Sequence, residues 1–256
     1  MPAKHTAKCT TILGMSDAPT NGSSTLVPSP VRSLVRSLVR SIDLRGPAGR
    51  IEALLNTGKE DAQYAAVVSH PHPLFGGTMH NKVVYHAMKS FQSFGIPVLR
   101  FNFRGAGLSE GAHDNGYGEV GDLRAALDWM QQEYQRPILF AGFSFGSFVG
   151  LKACCGDERV KGIAALGLPV SAGGREYRYR FLSNCAQPKL FISGTEDEFG
   201  PQAEVEAAVA QAMPPAELVM VPQANHFFSG KLEFMQEALS SWIQTHFCPA
   251  HSAATP

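Results

Sequence analysis

The chain has 256 residues, 44% hydrophobic and 17% charged, which suits one globular domain and exceeds the apolar content a disordered chain tolerates. Lysine plus arginine equals aspartate plus glutamate at 22 each, so no net field draws the protein to nucleic acid or an anionic membrane. No apolar run reaches the roughly 18 residues of a membrane span. The five cysteines (Cys9, Cys154, Cys155, Cys185 and Cys248) show no zinc-ligand spacing and suggest a reducing compartment, with Cys154-Cys155 read as small packing residues of a helix.

Residues 1–40 stand apart. Lys4, Lys8, Arg32, Arg36 and Arg40 face a single acid, Asp17, among many Ser, Thr and Pro residues. No continuous apolar segment follows the early lysines, which argues against a secretory signal. The segment is expected to be a disordered leader in a cytoplasmic protein; the alternative is an organelle transit peptide. Residues 249–256 are expected to form a flexible tail, leaving 41–248 as the domain.

The domain opens with Ile42-Asp43-Leu44-Arg45, a Gly-Pro-Ala-Gly turn, and Arg50-Ile51-Glu52-Ala53-Leu54-Leu55, an antiparallel hairpin. Strands and helices then alternate. Strand 65–69 precedes a helix over 81–94, and strand 97–102 precedes a helix over 117–134 with Val120, Leu123, Leu127 and Met130 at helical spacing. Strand 138–141, a helix over 144–155, strand 160–166, strand 189–193, a helix over 203–213, strand 217–221 and a helix over 231–245 complete the order. The pattern predicts an α/β fold: a mostly parallel, doubly wound sheet with an N-terminal antiparallel hairpin. Right-handed crossovers place every strand-to-helix loop at one sheet edge, where the chemistry is expected.

One such loop reads Gly142-Phe143-Ser144-Phe145-Gly146, between an apolar strand and a helix. A tight turn there strains the serine and lifts its Oγ above the sheet, and the positions two away on either side must be small. Gly142 and Gly146 meet that need. The helix N-terminus beneath Ser144 favours an oxyanion. A serine nucleophile needs a base oriented by an acid, in the chain order Ser, acid, His. Of the late histidines, His246 ends a helix and His251 lies in the tail, whereas His226 lies in the loop after strand 217–221. The preceding loop, Gly194-Thr195-Glu196-Asp197-Glu198, offers three carboxylates, and spacing alone does not choose among them.

Phe145 N–H is the first expected oxyanion donor. The second should come from Ser69-His70-Pro71-His72-Pro73-Leu74-Phe75-Gly76-Gly77, where the prolines have no N–H. Leu74 is favoured, with His72 as the alternative. His70, His72 and His80 lack an accompanying acid or cysteine pattern, so no metal is expected. Arg104-Gly105-Ala106-Gly107-Leu108-Ser109-Glu110 misses the dinucleotide fingerprint, because Glu110 stands at the last glycine position. No Lys-Ser/Thr pair marks a phosphate loop. No cofactor is expected, and this loop should pack beneath the active site.

Together, His70-Pro71-His72-Pro73-Leu74-Phe75-Gly76-Gly77, Phe101-Asn102-Phe103-Arg104-Gly105, Gly142-Phe143-Ser144-Phe145-Gly146 and Asn225-His226-Phe227-Phe228 resemble the α/β-hydrolase superfamily over residues 42–248. More narrowly they resemble its small, lidless, carboxylesterase-like bacterial members. The resemblance implies that Asp197, through its Gly-x-x-Asp pattern, is the acid. It implies a serine hydrolase of small esters, with thioesterase, peptidase or a non-catalytic binding protein as the alternatives. Serine in place of Asp or Cys separates the chain from haloalkane dehalogenases and dienelactone hydrolases. The segment between Leu166 and Lys189 is too short for a large helical lid. Residues 175–181 are read either as an overhang of the pocket or as a solvated connecting helix. Oligomeric state is left open between monomer and homodimer.

Overall fold

The computed structural model describes residues 8–11, 38–172 and 174–248. Most of the expected leader, and the tail 249–256, lie outside these residues. The strands are β1 (Lys8–Thr11), β2 (Val39–Gly46), β3 (Gly49–Asn56), β4 (Ala65–Ser69), β5 (Val98–Phe101), β6 (Ile138–Phe143), β7 (Val160–Leu166), β8 (Ser171–Ala172), β9 (Arg175–Glu176), β10 (Lys189–Gly194) and β11 (Ala216–Val221). The helices are α1 (Lys82–Gln92), α2 (Gly118–Tyr134), α3 (Phe145–Cys154), α4 (Gln202–Val209) and α5 (Leu232–His246).

Nine strands form one sheet in the order β1-β11-β10-β7-β6-β4-β5-β3-β2. It is parallel from β1 to β5, and β3 and β2 close the other edge antiparallel. The expected hairpin is present and longer than the apolar pattern suggested. The short β1 falls within the segment read as a leader and pairs with β11 from Lys8↔Glu217 to Thr11↔Met220.

Both faces are covered, which explains why the central strands are apolar at successive positions rather than alternate ones. In β6, Ile138 and Phe140 join the core beneath α2, α3 and α4, while Leu139, Ala141 and Phe143 join the core beneath α1 and α5. Helix α1 starts where the Asn81 side chain accepts the N–H of Val83, and its inward stripe is Val83, Val84, Ala87, Met88 and Phe91.

The stretch from β7 to β10 departs from a solvated helix. It forms the β8–β9 hairpin and a 3-10 turn, Arg180–Asn184, with Tyr177 and Tyr179 turned inward. The overhang reading of 175–181 therefore holds, because Tyr177 and Tyr179 pack on Phe148 of α3. A second departure concerns the cysteines. Of the adjacent pair, Cys154 is a buried packing thiol, whereas Cys155 caps α3 and forms a disulfide with Cys185, their Cα atoms 5.0 Å apart. That bond does not accord with the reducing compartment read from cysteine usage. Buried Lys189 donates to the carbonyls of Cys185 (2.6 Å) and Gln187 (2.5 Å), fixing the same loop, and burial lowers its ammonium to about 8. Among the described residues no helix is long and apolar enough to cross a membrane.

Candidate active site

The C-terminal ends of β6, β10 and β11 bring Ser144, Asp197 and His226 together. Ser144 has φ 55° and ψ −121°, a conformation that costs about 1–3 kcal/mol and persists only where the surroundings impose it. They do so from both sides. Its N–H donates to Leu166 O at 2.8 Å, and its carbonyl accepts from Ser147 N at 2.8 Å and Ser147 Oγ at 2.6 Å. A Cβ on Gly142 would lie 2.5 Å from Gly146 O, and one on Gly146 would strike the carbonyl of His70. The two glycines are thus needed for close approach, as the sequence predicted.

His226 Nε2 lies 2.8 Å from Ser144 Oγ, and Nδ1 lies 2.9 Å from each Asp197 carboxylate oxygen. A proton on Nδ1 facing the carboxylate leaves the Nε2 lone pair aimed at the serine hydroxyl. Asp197 Oδ1 also accepts the N–H groups of Phe199 (2.9 Å) and Gly200 (3.1 Å). Asp197 and His226 are buried, whereas Glu196 and Glu198 are exposed, so the turn selects one of three carboxylates. Phe143 and Phe199 pack against the imidazole with ring centroids 5.1 and 4.7 Å away.

Phe145 opens α3, so its N–H has no partner within the helix and lies beside Ser144. The facing loop is held by His70. Its Nδ1 lies 2.6 Å from Pro71 O and its Nε2 accepts Phe103 N–H at 2.9 Å, an arrangement that fits only the neutral ring. Burial drives its pKa to about 4. Leu74 N–H points to His72 Nδ1 at 3.3 Å, at the start of a 3-10 turn over Pro73–Phe75. His72 stacks on Phe145 and His113, and burial, then His113, lower it to about 4; Arg175 acts in the same sense and Glu119 opposes. His70 and His72 are thereby committed to the loop, and no three His, Cys, Asp or Glu side chains form a metal-binding group among the described residues.

Of the loop after β5, expected to pack beneath the site, Phe103 packs on His70 and Phe145. The stretch from Leu108 to Glu110 lies instead on the β2–β3 hairpin, with Leu108 N–H donating to Glu52 and Arg50 N–H donating to Glu110. Arg104 makes a two-pronged bond to Asp122 of α2 (Nε 2.9 Å, Nη2 2.8 Å), and Asn102 accepts the N–H of Met79 at 2.8 Å. Tyr177, within the segment 175–181 that the sequence allowed to overhang the pocket, lines the cavity. The cavity above Ser144 holds about 310 Å³ and is walled by His72, Phe75, Tyr177, Phe199 and Phe227.

An α/β-hydrolase domain family matches residues 67–245. A Rickettsia prowazekii protein described as uncharacterised is 36% identical over 80% of this chain and 88% of its own. An α/β serine hydrolase homologue from Coxiella burnetii is 37% identical, with a TM-score of 0.74 over 80% of this chain and 97% of that one. A Xanthomonas campestris protein, described as an α/β serine hydrolase without a lid, is 32% identical, with a TM-score of 0.74 over 85% and 97%. With its sheet order, its strained serine turn and these relatives, the chain belongs to the α/β-hydrolase family.

Proposed function

We propose that the protein is a serine hydrolase that cleaves small carboxylic esters through an acyl-enzyme on Ser144. Hydrolysis as the reaction class is supported by the family and by its serine-hydrolase relatives. The finer reading rests on one observation, the unbroken chain of hydrogen bonds from Asp197 through His226 to Ser144.

His226 takes the hydroxyl proton as Ser144 Oγ attacks the ester carbonyl. The imidazolium that forms faces Asp197, whose charge compensates it. Phe145 N–H and Leu74 N–H receive the oxyanion, the latter by turning from the His72 ring. His226 then gives its proton to the leaving alcohol. Water attacks the acyl carbonyl by the same route in reverse, restoring the free hydroxyl. A cavity of about 310 Å³ with aromatic walls suits a short acyl chain such as acetate or butyrate.

Ser144→Ala should lower turnover of 4-nitrophenyl acetate by on the order of 10⁴ to 10⁶ and abolish labelling by a fluorophosphonate probe. Undiminished hydrolysis in that variant would overturn the assignment. An acyl-thioester or peptide amide turned over faster than any oxygen ester would replace the ester reading with its thioesterase or peptidase counterpart.

A further inference from the structure

The disulfide between Cys155 and Cys185 is accessible from one side. Cys155, at the end of α3, is half-buried and lines an open surface depression of about 500 Å³ with Tyr117, Lys152, Phe181 and Asn184. Cys185 is fully buried and takes no part in that depression. A nucleophile arriving from solvent therefore meets the sulfur of Cys155. The depression is separate from the cavity above Ser144 and shares no residue with it.

The one charged residue lining the depression is Lys152, three positions before Cys155 and so its neighbour on the surface of α3. Its ammonium rests over the rings of Phe148 at 4.7 Å and Tyr117 at 5.6 Å, and makes no ion pair among the described residues. A free cation beside a disulfide draws in a thiolate, the form of a thiol that attacks sulfur.

The buried sulfur sits in a turn that does not depend on the bond for its place. Gln187 Nε2 donates to the carbonyls of Cys154 (3.1 Å) and Asp157 (3.2 Å), and its Oε1 accepts Gly156 N–H at 3.2 Å. These bonds join the turn to the end of α3 in parallel with the disulfide. Lys189 Nζ holds the Cys185 carbonyl at 2.6 Å and has no carboxylate partner among the described residues. It puts a positive charge beside the residue that leaves as a thiolate, and a stabilised leaving thiolate departs faster. Gln187 Oε1, 3.5 Å from Cys185 Sγ, is placed to accept from the thiol that results. With the turn held in this way the two sulfurs stay near each other after the bond opens, and the opening is reversible.

We infer that Cys155–Cys185 is an exchangeable disulfide, and that Cys155 is a modification site for a small thiol of the glutathione type. The thiolate attacks Cys155 Sγ, forming a mixed disulfide there as the bond to Cys185 breaks and Cys185 leaves as a thiolate. Cys185 takes up the proton that the incoming thiol lost. A second thiolate attacks the small-molecule sulfur and expels Cys155, so two thiols reduce one protein disulfide and leave as their own disulfide. The reverse sequence closes the bond again. Disulfides in a reducing compartment are of this transient kind, which removes the discord between the bond and the pattern of cysteine usage. Neither step involves Ser144, so the inference stands apart from the ester-hydrolase reading.

The test uses the full chain with its disulfide intact, at neutral pH and without denaturant. Reduced glutathione is added, samples are quenched in acid, and free thiols are blocked with N-ethylmaleimide. Peptide mass mapping of the earliest product should find glutathione on Cys155 and the maleimide on Cys185, at a rate linear in glutathione. K152E should slow the reaction roughly five- to tenfold, the effect of reversing one exposed charge near an attacking anion, with ester turnover unaltered. Glutathione found first on Cys185, reaction only in urea, or an equal rate in K152E overturns the proposal.

Two further variants read the site from the other direction. With glutathione disulfide, C185S should gain one glutathione at Cys155, whereas folded C155S should stay unmodified at Cys185. The opposite pattern, or modification of neither, overturns it. Where either variant fails to fold, the site of the first adduct in the unaltered chain decides.

Discussion

The loop after β4 and the loop after β11 each bury a histidine with both ring nitrogens engaged, and the two rings are set to opposite tasks. His70 meets only backbone groups, the Pro71 carbonyl and the Phe103 N–H, and burial holds it neutral with a pKa of about 4. His226 meets a carboxylate on one side and a hydroxyl on the other. A proton arriving on His70 would break the bond from Phe103 and leave a charge among uncharged neighbours. A proton arriving on His226 Nε2 comes from the serine it activates and is balanced by Asp197. What separates a brace from a base here is one carboxylate, supplied by a turn that buries Asp197 and leaves Glu196 and Glu198 outside.

Removing that carboxylate is the sharpest test. Asp197→Asn should keep the fold, because the amide oxygen can still accept from Phe199 and Gly200, yet lower kcat by about 10⁴. Steady-state ester kinetics decide it, and a loss under tenfold would make His226 independent of its acid. Next in size is the oxyanion donor on the His70 side. Leu74→Pro deletes the N–H and should reduce kcat by about 10² to 10³, whereas Leu74→Ala retains it and should stay close to the parent. Equal effects would move the role to another group of the loop, with His72 N–H the alternative.

The contrast also has a stability side. His70→Ala leaves the Phe103 N–H unpaired in the core and opens a void, so urea denaturation should show a loss of about 3 kcal/mol. The smallest effect is in pH. Because the folded pKa of His70 is depressed from 6.5 to about 4, the unfolded chain binds the extra proton first. The stability this residue contributes is complete above pH 6.5 and declines as pH falls toward 4, with about 2 kcal/mol gone by pH 5. Denaturation of the protein and of His70→Gln at pH 7 and pH 5 isolates it, since the variant should show a flatter dependence.

Much of this was legible in the sequence. The order of strands and helices follows from apolar runs that are uniform in buried strands and periodic in α1. The serine turn follows from two glycines at the only spacing its geometry allows, and His226 follows from chain order. The choice of Asp197 was legible only by resemblance, because three adjacent acids differ in which way a turn points them, and residue type does not record direction. The Cys155–Cys185 pair was hidden for a similar reason. The two sit 30 residues apart, and Cys155 reads as one more helix position until the chain leaves α3 there in an extended conformation. The four residues of β1 gave no pattern to read, since so short a strand is defined by the edge it meets, here β11. The inward turn of Tyr177 and Tyr179 depends on Phe148 of a distant helix, a contact no local window contains.

The sulfur bond between Cys155 and Cys185 closes a ring of chain that contains β7, the β8–β9 hairpin and Tyr177. The wall that shapes one side of the cavity is therefore a tethered span, tied at both ends to the helix that carries Ser144 and to the strand that leads to Asp197. A protease that nicked the hairpin would cut the polypeptide without parting it. The two pieces would travel as one molecule until a reductant released them, so a cut in the segment facing substrate leaves the halves covalently joined.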